Sequence, residues 1–491
     1  MKHAFCFFLF LEILVIGCNP VSTSRRARVT GPPNFVVIFV DDMGYGDIEP
    51  FGSTANRTPQ LNRMAEEGMK LTSFYAAPVC TPSRASLMTG SYPKRVGLDS
   101  TSWAGVLFPG EEKGIHAEEI TVAEILKTRG YATACVGKWH LGDQPEYLPT
   151  RHGFDYFYGL PYSNDMIPEA PPHRNRNYPP LPLLQNDEVV QTVKLQDQHR
   201  LTASYTSHAV KFIEMHRDEP FFIYLPHSMV HVPLFAGERF QQVSRNADNP
   251  ILGDTIEEID WSVGRILDTI RLHGLARNTL VLFTSDNGPA RGSAGPLRGR
   301  KGSTFEGGMR EPTIAWRPGT IEPGSSFDGI TSTMDVLPTL AALAGAELPT
   351  DRKIDGRDIS AILRGEPGAQ SPYEKFFYYS RADLRAVRSG EWKLHTTGEL
   401  YNLDRDVSES LNLASQYPDI VERLLGYLDE ARADLGDGDK YPGAGVRPAG
   451  WVDDPKFLLP RPGATKSEEA HAPIFRGQLV PDPAAISRPN W

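Results

Sequence analysis

The most constraining feature of the sequence is a repeated alternation of helix-type and strand-type segments. The first strand, Asn34–Val40, continues after its asparagine as an unbroken apolar run of β-branched and aromatic residues. Such a run is typical of a strand buried on both faces of a parallel sheet. Predicted helices, each followed by a predicted strand, are 121–127 with 131–136, 201–216 with 221–225, and 251–272 with 279–283. This alternation predicts a doubly wound, mainly parallel α/β sheet.

The pattern changes near residue 372. Four short strands, at 376–379, 384–387, 392–395 and 400–403, and a helix at about 419–435 predict a small antiparallel sheet plus helix. We therefore expect an α/β domain at 30–372, a small α+β domain at 373–440 and a Pro-rich tail at 441–491. A second Pro-rich stretch, 161–184, shows no strand or helix periodicity and is predicted to be a loop over the site.

The N-terminal segment 1–24 predicts an export signal. Its apolar run, Ala4–Cys18, follows Lys2 and is too short to span a bilayer. The run ends in Val-Ile-Gly-Cys, which resembles the lipobox of bacterial lipoproteins, so Cys18 is a candidate for lipidation. The protein is expected to be periplasmic, secreted or lipoprotein-anchored, and to contact a membrane only if Cys18 is lipidated.

Charge and cysteine content disfavour two classes of protein. Lysine and arginine number 51 against 61 aspartates and glutamates, a net charge of −10, which disfavours a nucleic-acid partner. Two of the four cysteines, Cys6 and Cys18, lie in the signal, which leaves Cys80 and Cys135. A disulfide-stapled fold is excluded, so a special role of either thiol must come from its chemistry.

Acidic and amide side chains follow two of the predicted strands. Asp41 and Asp42 follow the first strand, and Asp286 and Asn287 follow the strand at 279–283. Either pair alone fits a turn or a helix cap. Because ligands of open α/β sheets bind at the carboxyl ends of strands, two such pairs favour a site for a hard cation such as Ca²⁺ or Mg²⁺.

The segment 80–90, Cys-Thr-Pro-Ser-Arg-Ala-Ser-Leu-Met-Thr-Gly, predicts a helix start, with the polar Thr81 and Ser83 around its proline. A cysteine at a helix N-terminus lies in positive potential, and Arg84 adds a charge. The segment resembles the sulfatase signature C-x-P-S-R-x-x-x-L/M-T-G, in which the cysteine becomes formylglycine. The alternative is a helix start with a reactive thiol.

Four other segments carry the same resemblance. Segment 137–142 is similar to a second sulfatase signature and contains Lys138 and His140, and segment 300–312 is similar to a third, with Lys301. His231 lies in the H-x-P context of the family's catalytic histidine, whereas His227 is expected to be structural. Segment 153–163 resembles the arylsulfatase A branch, which places Ser163 on the sulfate.

The resemblance implies an alkaline-phosphatase-like fold and a complete site. Calcium would be bound by Asp41, Asp42, Asp286 and Asn287 with position 80, where a maturation enzyme makes formylglycine from Cys80. The charge of the sulfate would be neutralised by Arg84, Lys138 and Lys301, and Ser163 would contact it. His231 with Lys301 would protonate the leaving alcohol, and His140 would deprotonate the second hydroxyl of hydrated formylglycine.

The resemblance therefore implies hydrolysis of sulfate monoesters, on sulfated carbohydrate or aryl sulfate. Two alternatives stay open. One is a phosphate or phosphonate ester hydrolase of the same superfamily with the same nucleophile. The other is a non-catalytic, calcium-dependent glycan-binding protein that keeps the fold and never matures Cys80.

Overall fold

A computed structural model places Asn34–Val40, β1, in the interior of a large mixed sheet. The structure describes Met1 and residues 31–99, 104–169, 178–439 and 442–461. The predicted export signal, the lipobox at Cys18 and the end of the tail lie outside these residues. The helices of the described residues include none long and apolar enough to cross a membrane.

The large sheet has 11 strands within the described residues. Those after β1 are β2 (Met69–Tyr75), β4 (Ala132–Val136), β5 (Tyr156–Gly159), β6 (Leu181–Gln185), β7 (Glu188–Val193), β8 (Phe221–Pro226), β9 (Thr279–Ser285), β10 (Arg310–Trp316), β11 (Ser325–Phe327) and β12 (Thr331–Ser332). A further strand, β3 (Lys113–Gly114), lies outside this sheet.

The strands of the large sheet follow the order β11-β2-β10-β9-β1-β8-β4-β5-β6-β7, with β12 beside β2. β1 pairs in parallel with both β8 and β9.

Helices cover both faces of this sheet. They are α1 (Pro59–Glu66), α2 (Cys80–Thr89), α3 (Val122–Lys127), α4 (Leu201–Met215), α5 (Pro250–Leu272), α6 (Glu306–Met309), α7 (Val336–Ala344) and α8 (Ser360–Leu363). Val36 and Ile38 of β1 pack on the face covered by α4 and α5, and Phe35 and Val37 pack on the opposite face. Both faces of β1 are therefore buried, as its apolar run predicts.

A second, antiparallel sheet forms from β13 (Phe376–Ser380), β14 (Asp383–Ser389), β15 (Trp392–His395) and β16 (Leu400–Asn402). Helix α9 (Pro418–Asp434) packs on it through Leu424, Leu428 and Ala431. The predicted fold class, a mainly parallel sheet with a small antiparallel sheet plus helix, is confirmed. The domain boundaries near residues 372 and 440 stay predictions.

The two Pro-rich stretches contain more regular structure than predicted. The end of the first, 161–184, enters β6, where Leu183 faces Gln191 of β7. In the tail, β17 (Gly450–Trp451) pairs with β3. Both strands are short and depend on a distant partner, which local periodicity does not reveal.

Candidate active site

Helix α2 places Cys80 at its first residue, and all ten of its residues are buried. The predicted helix start is present, with Cys80 at its N-terminus, but Val79 at the N-cap position makes no side-chain cap hydrogen bond. Instead, the Ser83 hydroxyl accepts a hydrogen bond from the Ala77 amide at 3.0 Å, and Thr81 Oγ1 donates to His140 O at 3.1 Å. These bonds fasten the first turn of α2 to the loops around it.

The Cys80 thiol lies near the buried Lys138 and the partly buried Lys301. Lys301 Nζ is 3.6 Å from its sulfur. Burial raises the pKa of the thiol to about 12, although the charges of Lys138 and Lys301 oppose that rise. The unmodified thiol is therefore protonated at neutral pH and a poor nucleophile, despite its place at a helix N-terminus.

Asp41 and Asp42 follow β1 directly, and both are fully buried. Lys138 Nζ lies 2.5 Å from Asp41 Oδ2, and Arg84 Nη2 lies 3.3 Å from the same oxygen. Burial alone would raise the pKa of Asp41, but the charges of Lys138, His231 and Arg84 outweigh it and lower that pKa. Asp41 is therefore ionised.

The register of β9 beside β1 brings the second pair alongside the first, since Val40 faces Ser285. Asp286 Oδ1 accepts a hydrogen bond from the Asp42 amide at 3.1 Å, and Asp286 Oδ2 accepts one from Arg84 at 2.8 Å. Asn287 Nδ2 donates to Asp42 Oδ1 at 2.7 Å. The four predicted metal ligands thus meet at one edge of the sheet.

Three oxygens in this group have no hydrogen-bond partner among the described residues: Asp41 Oδ1, Asp42 Oδ2 and Asn287 Oδ1. A buried acceptor without a partner is costly, so three of them at one place indicate a bound ion. Burial and the charge of Asp41 also raise the pKa of Asp286 to about 7, which a divalent cation would reverse. The residues fit a hard divalent cation with oxygen ligands.

Donor atoms of Asp41, Asp42, Cys80 and His231 lie within 4.8 Å of one another. His231 lies near these residues because the segment after β8 is bound to Asp41: the Val230 amide donates to Asp41 O at 2.9 Å. Its Nε2 is 3.8 Å from Asp42 Oδ2, and its Nδ1 is 2.6 Å from Val232 O. His227 lies elsewhere, with Nε2 3.2 Å from Ser262 Oγ of α5.

The loop after β4 supplies Lys138 and His140. Lys138 Nζ donates to Ser163 Oγ at 3.1 Å, which joins two of the three predicted sulfate-binding residues, the third being Lys301. His140 Nε2 lies 2.9 Å from Leu107 O, and its Nδ1 has no partner in the part of the chain that the structure describes. Burial, helped by the charge of Lys138, lowers the pKa of His140, so the ring is neutral, with Nδ1 as its unpaired atom.

Lys301 completes the group from the loop before α6. Its Nζ lies 2.5 Å from Asp42 Oδ1, in addition to its contact with Cys80. Hydrogen bonds and ion pairs thus connect the predicted site residues other than His140, including Ser163, in one cluster around Cys80. The ring of His140 lies close enough for the charges of Lys138, Arg84 and Asp41 to act on it.

One buried acid beside the site was given no role by the sequence analysis. Glu311, on β10, is fully buried, and neither carboxylate oxygen has a partner among the residues described. Burial and the charges of Asp286 and Asp42 raise the pKa of Glu311 well above its usual value. Glu311 lies in the motif segment 300–312, which is the feature of the sequence that could have drawn attention to it. A motif does not show which residues surround a glutamate in the fold.

The sheet, with buried carboxylates, cations and a nucleophile position at its carboxyl edge, defines a hydrolase of the alkaline phosphatase superfamily. The family model described as Sulfatase matches residues 33–346. The chain belongs to the sulfatase family, whose members hydrolyse sulfate esters.

Similar proteins agree with this assignment. Arylsulfatase A of Homo sapiens is 37% identical over 505 aligned residues, covering 90% of this chain and 97% of that protein. N-acetylgalactosamine-6-sulfatase of Sus scrofa is 40% identical over 399 residues, covering 76% and 74%. The crystal structure of the PsFucS1 sulfatase from Pseudoalteromonas sp. has a TM-score of 0.75 at 28% identity, covering 84% and 92%. The crystal structure of Ps i-CgsB in complex with k-i-k-neocarrahexaose has a TM-score of 0.72 at 26% identity, and it covers 81% of this chain and 92% of that chain.

Proposed function

We propose that this sulfatase uses formylglycine made from Cys80, together with a bound calcium ion, to hydrolyse sulfate monoesters of carbohydrates. The observation that carries the proposal is the set of three unpartnered acceptor oxygens, on Asp41, Asp42 and Asn287, in the same cluster as Cys80. A thiol with a raised pKa is unsuited to attack, so position 80 needs different chemistry. Hydrated formylglycine would supply a hydroxyl nucleophile there.

Calcium would be held by Asp41, Asp42, Asp286 and Asn287, and it would offset the negative charge of the sulfate. Both oxygens of Asp286 already accept hydrogen bonds, from Arg84 and the Asp42 amide. A carboxylate oxygen retains further lone pairs, so these bonds orient Asp286 without excluding it as a ligand.

Two cations would bind the sulfate. Lys138 contacts Asp41, Lys301 contacts Asp42, and Ser163 lies beside Lys138. Their donors would pair with the nonbridging oxygens, whose charge must be offset before a nucleophile approaches sulfur. Arg84 is fully buried and already pairs with Asp41 and Asp286, so its role is to orient these carboxylates.

Two histidines would move protons in the proposed reaction. His231 is 7% exposed, and with Lys301 it would give a proton to the leaving alcohol oxygen. His140 is neutral because burial lowers its pKa, and its free Nδ1 would accept a proton from the residue at position 80. The two histidines therefore act at different stages of the reaction.

A carbohydrate substrate is supported by relatives and by charge near the site. One relative is an N-acetylgalactosamine-6-sulfatase, and one similar structure holds k-i-k-neocarrahexaose. In this chain, segment 288–305 contains Arg291, Arg298, Arg300 and Lys301 and no acidic residue, although the whole chain carries −10. Arg291 and Arg300 are exposed, so they would attract an anionic polymer to the site.

The first experiment is mass spectrometry of the peptide that contains residue 80, from protein made in its host. An aldehyde at this position is the expected result, and an unmodified thiol, in cells that mature other sulfatases, would contradict the proposal. Rates on matched sulfate, phosphate and phosphonate esters then test the reaction. A preference for phosphate or phosphonate would favour the alternative hydrolase activity.

Export and maturation belong to the same proposal. The apolar segment Ala4–Cys18 supports export, and conversion of Cys80 would require a formylglycine-generating enzyme in the host. Fractionation of host cells tests the location. Recovery in the medium or periplasm, or in the membrane with a lipidated Cys18, is expected, and recovery in the cytoplasm would contradict export.

A further inference from the structure

The loop that carries Lys301 is held from the side of the small C-terminal sheet. We propose that Lys393, on β15, and Glu409, in the segment after β16, are positioning residues that keep Lys301 against Cys80. This inference rests on the proposed role of Lys301 in the reaction. Neither residue touches the cluster around Cys80, so both act through the segment between Arg298 and Glu306.

Four hydrogen bonds fix that segment at points on both sides of Lys301. Lys393 Nζ donates to Thr304 O at 2.8 Å and to Glu306 Oε1 at 2.9 Å. The Glu306 amide donates to Glu409 Oε2 at 2.7 Å. On the other side, Arg298 Nη1 donates to the backbone oxygen of Glu409 at 2.7 Å.

The side chains of Lys393, Glu306 and Glu409 are completely buried. Lys393 Nζ also lies 2.8 Å from Glu409 Oε1, and His395 Nε2 lies 3.0 Å from the same oxygen. Removing one member of a buried charge group leaves the others unpaired at high cost, so the members hold one another in a single arrangement. We call Lys393, Glu306 and Glu409 the clamp.

The clamp adds side-chain contacts to a loop whose backbone turns at two glycines. Gly299 and Gly302 adopt positive φ angles of +89° and +85°, which glycine reaches at no steric cost. The backbone bonds of the loop include Gly302 N to Pro78 O at 2.8 Å, Lys301 N to Pro289 O at 3.3 Å, Ser303 N to Arg300 O at 3.0 Å and Gly307 N to Arg298 O at 2.7 Å. The bonds to Pro78 and Pro289 tie the loop to other segments of the large domain, and the clamp adds the contacts that tie it to the C-terminal sheet.

The placement of Lys301 tolerates little movement. Its Nζ is 2.5 Å from Asp42 and 3.6 Å from the sulfur of Cys80, so a shift of about 1 Å would break the first contact. A misplacement of this size can reduce the rate of an enzyme about 100-fold. The C-terminal sheet thus takes part in catalysis through the position of one lysine.

The test uses the full-length enzyme and two variants, each made alone and combined with Lys301→Ala. Glu409→Gln keeps the shape of the side chain and removes its charge. Arg298→Met, at an exposed residue, removes the bond to Glu409 O and the contact of the guanidinium with the Phe305 ring, 3.9 Å from its centroid. We expect each to lower kcat/KM on an activated aryl sulfate about 10- to 100-fold. In the Lys301→Ala background each should cost less than about threefold, because the residue being positioned is gone.

The control is Arg95→Met, which breaks the buried pair between Arg95 and Asp355, 2.6 Å apart and separate from this loop. It should lower Tm, with equal effects in both backgrounds. Equal losses for Glu409→Gln or Arg298→Met in both backgrounds would overturn the clamp and leave only a stabilising role. If Glu409→Gln does not fold, the result for Arg298→Met alone tests the clamp.

A second measurement separates the clamp from the proposed role of Lys301. Hydrogen exchange of the amides between residues 299 and 305 needs no activity. Faster exchange in Arg298→Met and Glu409→Gln, but not in Arg95→Met, supports the clamp even if Lys301→Ala leaves turnover intact. In that case the role of Lys301 is wrong. Unchanged exchange overturns the clamp whatever the activities show.

Discussion

Two buried groups of charges lie in this enzyme, and they differ in how completely their atoms are paired. At the carboxyl edge of the large sheet, Asp41, Asp42 and Asn287 each keep an oxygen without a protein partner among the described residues. In the clamp, every side-chain oxygen and nitrogen of Glu306, Lys393 and Glu409 has one. Burial is complete in both groups, so burial alone does not distinguish them.

The difference separates a binding site from a structural element. A fully paired group has its charges compensated by the protein, and a further ion would have to break existing bonds. A group with unpaired acceptors remains costly until a ligand arrives. The three unpaired acceptors thus support a cation site at the carboxyl edge of the large sheet, whereas the hydrogen bonding of the clamp is already complete.

The largest expected effect comes from Cys80→Ser. The variant should fold and bind metal, but it should lose sustained turnover by about 10⁴-fold or more, because serine lacks the second hydroxyl of a hydrated aldehyde. Release of sulfate over many turnovers is the measurement. The matched control is Cys135→Ser, at the other buried thiol, on β4. Sustained turnover by Cys80→Ser would refute the aldehyde mechanism.

His231→Ala should follow, with a loss of ~10²–10⁴-fold on esters with poor leaving groups, the range for a general acid. With an activated aryl leaving group the loss should be much smaller, since that alcohol leaves without a proton. Rates across a series of aryl sulfates measure this. His227→Ala, four residues away and in contact with α5, should leave the dependence on leaving group unchanged. An equal loss for all leaving groups would argue against His231 as the acid.

The clamp should show its pairing in the pH dependence of stability. Burial alone would raise the pKa of Glu306, but Lys393, Arg388 and Arg310 outweigh it and lower that pKa from 4.5 to about 2. Ionised Glu306 thus adds about 3 kcal/mol to the free energy of unfolding above pH 4.5, and this contribution is lost as the pH falls toward 2. Tm measured from pH 7 to 2 should fall less steeply for Glu306→Gln than for the wild type.

A control for this acid dependence is Glu430→Gln, which removes the exposed partner of Lys375. That variant should keep the wild-type slope, because exposed ion pairs add little stability. Parallel Tm curves for Glu306→Gln and the wild type would show that the clamp is not a site of depressed pKa.

The smallest effect concerns an unpaired oxygen at the carboxyl edge. Asn287→Ala removes one acceptor and the bond to Asp42, and it should weaken calcium binding about 10- to 100-fold, or about 1–3 kcal/mol. The rise of Tm with added calcium measures the affinity. The control is Asn56→Ala, at a buried asparagine that donates to Asp47 O, and this variant should keep the calcium affinity of the wild type. Unchanged affinity in Asn287→Ala would exclude this residue as a ligand.

The sequence predicted best what depends on local pattern. β1 has the predicted ends, because an apolar run bounded by Asn34 and Asp41 signals a buried strand without outside help. The site residues were found through motifs, and parallel pairing of β1 with β9 explains why Asp42 and Asp286 meet. The roles of individual site residues stay predictions.

Features that depend on distant partners were missed. β6 contains Pro182, which lacks an amide donor and breaks the usual strand pattern, yet β5 and β7 hold it in the sheet. The clamp joins Glu306 to Lys393 and Glu409 across long stretches of sequence, so no local signal points to it.

The complete burial of α2 has a consequence for how the protein is made. A maturation enzyme cannot reach Cys80 once the helix is enclosed, so the proposed conversion must come before folding is finished. Glu409 is translated more than 300 residues after Cys80. At about 5–20 residues per second, ribosomes would need roughly 15–70 s to reach it. Because the C-terminal sheet is translated later, the nascent chain still exposes Cys80 during this time.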